Sequence, residues 1–432
     1  MLMKSIFELT GLCLLSCSMM VTAAADDGNT PQGSLNDPED PVNLLPSIQL
    51  RGTQKTSLFP ASPLSWLHDS TTRAKADFYD ATSIKLGATF THLFQGLSDN
   101  LPGEDNWGTA TTSDYLATWE LADKGSSTQG ELVFHAQARW NYGTTGPETL
   151  GIVSLGSLLG TANTFERYDP TFLLRNLFWR QGSSQAGWSY RIGKITPDAL
   201  LATSSHIAAA TTVLPTAAVG PFAIALPDSG LGAVGAWYLN DRVTLVGLVS
   251  DANGDRYNSG DIGEGDLFTA VELHAKIAPR TPKAGYSKLT LWHTDGTKDG
   301  QAANGQTGPS GWGFYVKHEQ ELTADGRAVG VLRYGKGFDN SAFYDRVAAA
   351  YFFLYDPGDP VDVRNDLIGV AFKWADASQS GTRHEYNAEI FYRFPIFPHV
   401  DMTLHYQYVI DPALDLGVDD ASVFSLRLRT TF

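Results

Sequence analysis

Charged and hydrogen-bonding side chains recur at every second position in several stretches of this sequence. Glu131, His135, Gln137 and Arg139 alternate with Leu132, Phe134, Ala136, Ala138 and Trp140, with Val133 among the polar set. Glu272, His274 and Lys276 alternate with Val271, Leu273, Ala275 and Ile277. Asp401, Thr403, His405 and Gln407 alternate with Val400, Met402, Leu404, Tyr406 and Tyr408. Glu385, Asn387, Glu389 and Arg393 make another such row, Arg427 and Arg429 a further one, and Arg191 sits in a shorter stretch of the same kind. Acids, bases and amides of mixed sign on one face can replace the hydration shell of a polar solute and set up a field across a wet space. They do not resemble a nucleophile with its base. G-x-S-x-G, H-E-x-x-H and the phosphate-binding glycine loop are absent, and His318-Glu319 and His384-Glu385 are strand neighbours whose side chains face opposite ways. Asp251-Ala252-Asn253-Gly254-Asp255 opens like a calcium loop, but Arg256 stands where glycine is required and Ile262 where glutamate is required. A weak Ca²⁺ site among Asp251, Asn253, Asp255 and Asp261 therefore competes with a plain solvated acidic loop. The chemistry expected is solvation without a catalytic residue, metal or cofactor.

A period of two is the signature of strands, and strands of roughly ten residues begin at Ile84 and recur to the end of the chain. About sixteen can be counted, starting near Ile84, Ser113, Gly130, Thr171, Gly187, Leu231, Arg242, Leu267, Tyr286, Trp312, Arg327, Tyr344, Asp366, His384, Val400 and Ser422. One apolar face per strand also suits a soluble sandwich. Two features favour a transmembrane antiparallel β-barrel. Trp140, Trp237, Tyr238, Trp292, Trp374, Tyr392 and Phe394 fall near strand ends, where aromatic girdles would sit. The links also alternate: 182–186, 240–241, 323–326 and 395–399 are short, whereas 95–112, 141–170, 195–230, 251–266 and 295–311 are long. Short periplasmic turns opposite long extracellular loops would produce that rhythm. The fold class expected is all-β, a closed barrel in which every backbone group finds a partner within the wall.

The N-terminus sets the compartment. Lys4, an apolar run from Leu9 to Val21 and Ala23-Ala24-Ala25 before Asp26 read as a cleaved secretory signal over residues 1–25. Leu14-Leu15-Ser16-Cys17 loosely matches a lipoprotein box, although apolar sequence continues beyond it to the alanine site. Cys13 and Cys17 are the only cysteines, so the processed chain would carry no disulfide. Residues 26–83 are polar and poorly periodic, an N-terminal periplasmic arm or extension, and 84–432 form the barrel. A net charge of -16 argues against nucleic acid as a partner.

The last fifty residues resemble the carbohydrate-selective porin (OprB-type) family. The matching stretches are Glu385-Tyr386-Asn387-Ala388-Glu389, Phe391-Tyr392-Arg393-Phe394-Pro395, Phe397-Pro398-His399-Val400-Asp401, Gln407-Tyr408-Val409-Ile410-Asp411-Pro412-Ala413 and Val423-Phe424-Ser425-Leu426-Arg427-Leu428-Arg429. Tyr190-Arg191-Ile192-Gly193-Lys194 and Ser250-Asp251-Ala252-Asn253-Gly254-Asp255 fit upstream. The resemblance spans about 115–432, and the family's tryptophan–glycine–glycine entry element is missing around residues 60–80. It implies a sixteen-stranded porin, monomeric or trimeric, that passes neutral sugars such as glucose passively through the outer membrane of a Gram-negative bacterium.

On this reading the solute path is lined by Glu131, His135, Arg139, Arg191, Glu272, Lys276, Glu385, Glu389, Arg393, Asp401, His405, Arg427 and Arg429. The long loop 195–230, with its alanine-rich 199–210 and apolar 215–227, is too apolar for open solvent and is expected to fold inward and narrow the pore. Expected partners are sugars in transit, outer-membrane lipid and lipopolysaccharide, the barrel-assembly machinery through Phe432, and other copies in a homotrimer. The rivals are a porin for organic acids or oligosaccharides, a hydrolase carried on a barrel, and a soluble secreted carbohydrate-binding protein.

Overall fold

A computed structural model describes residues 57–432, apart from 63–64, 158, 161–164, 166–170, 205, 209, 215–220, 222, 258, 261, 278–284, 297–308, 325, 358–365 and 379–382. The signal segment, both cysteines and Asp261 lie outside the described residues.

Sixteen strands form one closed sheet. They are β1 (Ile84–Leu97), β2 (Trp107–Ala122), β3 (Gly130–Asn141), β4 (Phe172–Ser183), β5 (Trp188–Ile195), β6 (Gly230–Asn240), β7 (Val243–Asp251), β8 (Leu267–Ile277), β9 (Gly285–Thr294), β10 (Gly311–Glu321), β11 (Ala328–Gly337), β12 (Tyr344–Tyr355), β13 (Leu367–Ala377), β14 (Glu385–Phe397), β15 (Val400–Ile410) and β16 (Asp420–Thr431). Each strand pairs antiparallel with its sequence neighbours, and β16 returns to β1 with Thr89 opposite Thr431 and Leu97 opposite Val423. Closure leaves no edge, so the ladder satisfies the backbone polar groups all the way round. Phe432 extends the seam by exchanging both backbone hydrogen bonds with Ala88, at 2.8 and 3.1 Å.

Alternation places Phe134, Ile192, Val271, Leu291, Ile390, Leu404 and Phe424 on the outer surface, all exposed. A soluble monomer rarely carries so continuous an apolar belt. The buried core lies inside the barrel instead, where Leu159, Leu200, Leu201, Ile224 and Leu226 from the links pack against Val133, Phe178, Val234, Val246, Phe268 and Tyr315 of the wall. Two wall glycines permit this architecture. Gly193, at φ 140°, would bring a Cβ to 2.4 Å from the Leu177 carbonyl, and a Cβ on Gly335 would meet Tyr315 at 2.4 Å and Ala223 at 2.8 Å.

Three sequence expectations need correction. The second strand begins at Trp107 rather than near Ser113, so its link is 98–106. The run Thr109-Ala110-Thr111-Thr112-Ser113 reads as a polar loop. However, threonine suits a pleated wall, and its hydroxyls find partners there: Thr109 Oγ1 donates to the Leu93 carbonyl at 3.0 Å, and Thr111 Oγ1 lies 2.9 Å from His92 Nδ1. Within the expected arm, Ser65–Thr82 forms a helix, α1. It presents its polar side to the rim, with Tyr79 donating to Glu120 at 2.8 Å and His68 stacked on His399. No apolar stripe marks it, and Trp66 is exposed, so hydrophobic periodicity does not reveal it. The rhythm of links is also uneven, since 356–366 outruns 338–343 and 378–384 at the opposite rim.

Candidate functional site

The inner wall carries interlocking polar pairs. On β3, Glu131 accepts from Arg180 of β4 at 2.7 Å and from Gln129 at 2.6 Å. Four residues along, His135 lies 2.9 Å from Asp114 of β2 and 3.0 Å from Asn176 of β4. Gln137 donates to Asp114 at 2.7 Å, and Arg139 donates to Gln137 at 2.9 Å. Arg191 of β5 stacks its guanidinium over Phe178, 4.6 Å from the ring centre.

Across the lumen, Glu272 lies 2.5 Å from both His274 and Thr290 and 3.7 Å from Lys288. Lys317 pairs with Glu319 at 2.7 Å. Lys373 bridges Glu389 at 2.8 Å and Asn387 at 2.9 Å, and His405 approaches Glu389 at 3.0 Å. Asp401 sits opposite Arg429 in the β15–β16 register, and Arg427 donates to Thr403 at 3.2 Å. Burial makes these pairs costly to break, because each charge left behind would be desolvated without compensation.

The loops complete the arrangement. The described residues of 196–229 run along the inner wall from β8 to β16, hydrogen-bonded to it at several points. Ala202 N donates to Glu272 at 2.6 Å, its carbonyl accepts from Arg333 at 3.4 Å, and Lys288 and Lys317 bind Thr203. His206 Nδ1 lies 2.6 Å from the Tyr355 hydroxyl. Farther on, the Thr211 carbonyl accepts from Arg393 at 3.2 Å, the Thr212 carbonyl accepts from Arg427 at 3.0 Å, and Leu214 N donates to Glu389 at 3.1 Å. Ile207 and Val213 bury against an apolar sector made by Val329, Val331, Tyr351, Phe353, Leu367 and Phe391, each contributing roughly 1.5–3 kcal/mol relative to exposure. The loop's far end is held by Asp228, which accepts from Arg175 and from Arg256, both at 2.7 Å. Burial alone would raise that carboxyl, but the two guanidinium groups hold it below the ordinary aspartate range.

Described residues of a second loop, 142–171, also reach the inner wall, which the sequence alone does not single out. Glu385 accepts from Ser157 Oγ, from Leu159 N at 2.8 Å and from Ala413 N at 3.0 Å. Leu150 and Leu155 pack on Val409, Val418, Ala421 and Val423. The clue was the apolar content of Leu150, Ile152, Val153, Leu155, Leu158 and Leu159, the same criterion that singled out 195–230.

Twelve of the thirteen residues read from the sequence therefore share the buried inner face. Lys276 departs from them. It has the same parity as Glu272 and His274 but lies exposed at the end of β8, near the rim. The partners that single-strand alternation missed are Asp114, Arg175, Arg180, Lys288, Lys317, Arg333 and Lys373, all on strands (β2, β4, β9, β10, β11 and β13) not singled out for their alternation. In the calcium-like segment Asp251 accepts from Asn253 N at 2.9 Å, and no group of three or more His, Cys, Asp or Glu among the described residues is placed to hold a metal.

A closed sixteen-strand antiparallel barrel with an apolar exterior, a polar interior and loops packed inside it defines a porin. The family model described as carbohydrate-selective porin, OprB family, matches residues 116–432, and the chain belongs to that family. Its structure is similar to the high-pH structure of Pseudomonas putida OprB, at 13% identity and a TM-score of 0.67, over 84% of this chain and 97% of that one. It is also similar to the low-pH structure of the same protein, at 11% identity and a TM-score of 0.51, over 87% of this chain and 100% of that one. At such identities the likeness shows the fold. No curated protein sequence matches the chain. Family and barrel together place it in the outer membrane as a channel protein.

Arg393 of β14 and Arg427 and Arg429 of β16 flank β15, whose Thr403 lies opposite Arg393 and Arg427 and whose Asp401 lies opposite Arg429. Arg393→Glu is expected to shift ion selectivity towards cations. A unit charge near a passing ion is worth about 1 kcal/mol in water, or roughly fivefold in the permeability ratio. Reversal potentials across a salt gradient in planar bilayers measure it, and an unchanged ratio would remove Arg393 from the ion path.

Proposed function

We propose that this protein passes small neutral sugars of the glucose type into the periplasm by passive diffusion. The carrying observation is the pairing of opposite charges around the inner wall: Glu131 with Arg180, Glu272 with Lys288, Glu319 with Lys317 and Glu389 with Lys373. Pairing of this kind cancels charge around the wall, so no ring of one sign concentrates or repels ions and neutral solutes are not disfavoured. Loops 142–171 and 196–229 narrow the space between them, so the pore admits small solutes in preference to extended chains. Export uses residues 1–25 as a cleaved signal, and the short links share the periplasmic rim with the termini. The aromatic Phe432 on the closing seam suits recognition by the barrel-assembly machinery, the apolar belt suits lipid and lipopolysaccharide, and a homotrimer is the assembly open to test by cross-linking.

Liposomes bearing the purified protein are expected to swell fastest in glucose-sized neutral sugars, more slowly in oligosaccharides, and without preference for sugar acids. Swelling with organic acids but not with glucose would overturn the proposal, as would failure to swell accompanied by hydrolysis of lipid or peptide.

A further inference from the structure

Almost every carboxylate inside the barrel is buried in a pairing already described. Asp198 differs. It lies at the start of the inward loop, in the short turn Pro197–Ala199 that follows β5. Proline at the head of that turn fixes its φ, and Leu200 and Leu201 immediately beyond are fully buried, so the turn is held rigidly. Although the barrel surrounds it, the Asp198 side chain is exposed to water, which places it at the lumen's water boundary. The charged groups that act on it are Arg139 of β3, Arg175 of β4 and Asp228 at the loop's far end. Arg175 also bonds Asp228, and Arg139 also bonds Gln137.

We propose that Asp198 is the solute-contacting carboxylate of the constriction, accepting hydrogen bonds from the hydroxyl groups of the passing sugar and setting the ion preference of the channel together with the nearby Arg139 and Arg175. An ionised carboxylate offers two oxygens and about four lone-pair sites. Acceptors of this kind replace sugar hydration, and exposure to pore water keeps the binding weak enough for release. The low-polarity protein wall that surrounds this water-facing group and the nearby Asp228 push the Asp198 carboxyl above the ordinary aspartate range, against the pull of Arg175 and Arg139. As pH falls the group is therefore neutralised earlier than a solvated aspartate would be. This assignment rests on the sugar-porin reading.

The test uses the full processed chain in planar bilayers and liposomes, comparing wild type with Asp198→Asn, a near-isosteric change in a water-exposed side chain. The expected result is a shift of reversal potential towards anions and at least a threefold rise in the glucose concentration that half-blocks ion current. In wild type, cation preference should decline at a pH above the usual aspartate range, and Asp198→Asn should abolish that titration. Unchanged selectivity, glucose block and pH profile in a variant that folds, with wild type still passing glucose, would overturn the inference alone. If wild type fails to pass glucose while Asp198→Asn still shifts ion selectivity, the sugar reading falls and the placement of Asp198 in the constriction survives.

Discussion

Glu389→Gln is expected to destabilise the barrel by about 3–5 kcal/mol and to enlarge or destabilise its open-channel current. The estimate follows from removing one partner of a buried ion pair, which leaves the other charge desolvated and uncompensated. Glu389 on β14 holds Lys373 of β13 at 2.8 Å, His405 of β15 at 3.0 Å and the backbone N–H of Leu214 in the inward loop at 3.1 Å. One carboxylate thus ties three neighbouring strands to the loop. Glutamine keeps the volume but not the charge, so the contact to Leu214 loses its charge-assisted character and weakens by about half. The loop's remaining anchors in that sector, Arg393 to Thr211 and Arg427 to Thr212, would hold it less firmly, and conductance would become larger or noisier. Urea titration of the reconstituted protein, read by gel mobility, measures the first effect and single-channel recording the second. Adding Lys373→Met should restore most of the stability, because the uncompensated charge is then gone. An undiminished urea midpoint in Glu389→Gln would show that the pair is solvated and that the loop does not seal it.

The sequence places Glu389 on the inner face but does not show what it holds there. Alternation along one strand assigns each residue to a face, since hydrocarbon outside and polar groups inside impose a strict period of two. That rule separates Leu404 from His405 and Phe134 from His135 directly. It carries no information about depth, which is why Lys276 has the same parity as Glu272 yet ends at the rim. Nor does it reveal partners: Lys373 meets Glu389 only because β13 and β14 pair with Lys373 opposite Asn387, a register set by the whole closed sheet. The inward loops are a different problem, since their positions depend on where the wall offers apolar and charged sockets. Ile207 and Val213 find one such socket, and Leu150 and Leu155 another. Apolar content marks both loops, because each must bury its leucines, isoleucines and valines against such a socket. For Asp198 the sequence offers only a proline-fixed turn after a strand. What sets it apart is exposure to water beside the buried Pro197, Leu200 and Leu201.

The outer surface supplies the other large effect. Leu404→Lys is expected to cost about 2–4 kcal/mol, the penalty for a cation facing lipid near the bilayer midplane. Leu404 lies in the middle of β15, 49% exposed, opposite Tyr392 of β14 and Leu426 of β16, so a lysine there has little polar surface within reach. Near the rim the same change should be mild, because a long side chain reaches the interface and the penalty falls to about 0–1 kcal/mol. Leu239, near the end of β6 and 62% exposed, provides the comparison. Greater exposure with a smaller cost is the distinctive expectation, since in water neither substitution would be costly at all. Urea midpoints for Leu404→Lys and Leu239→Lys in one lipid decide the matter, and equal, near-zero changes at both sites would mean that the belt does not face hydrocarbon.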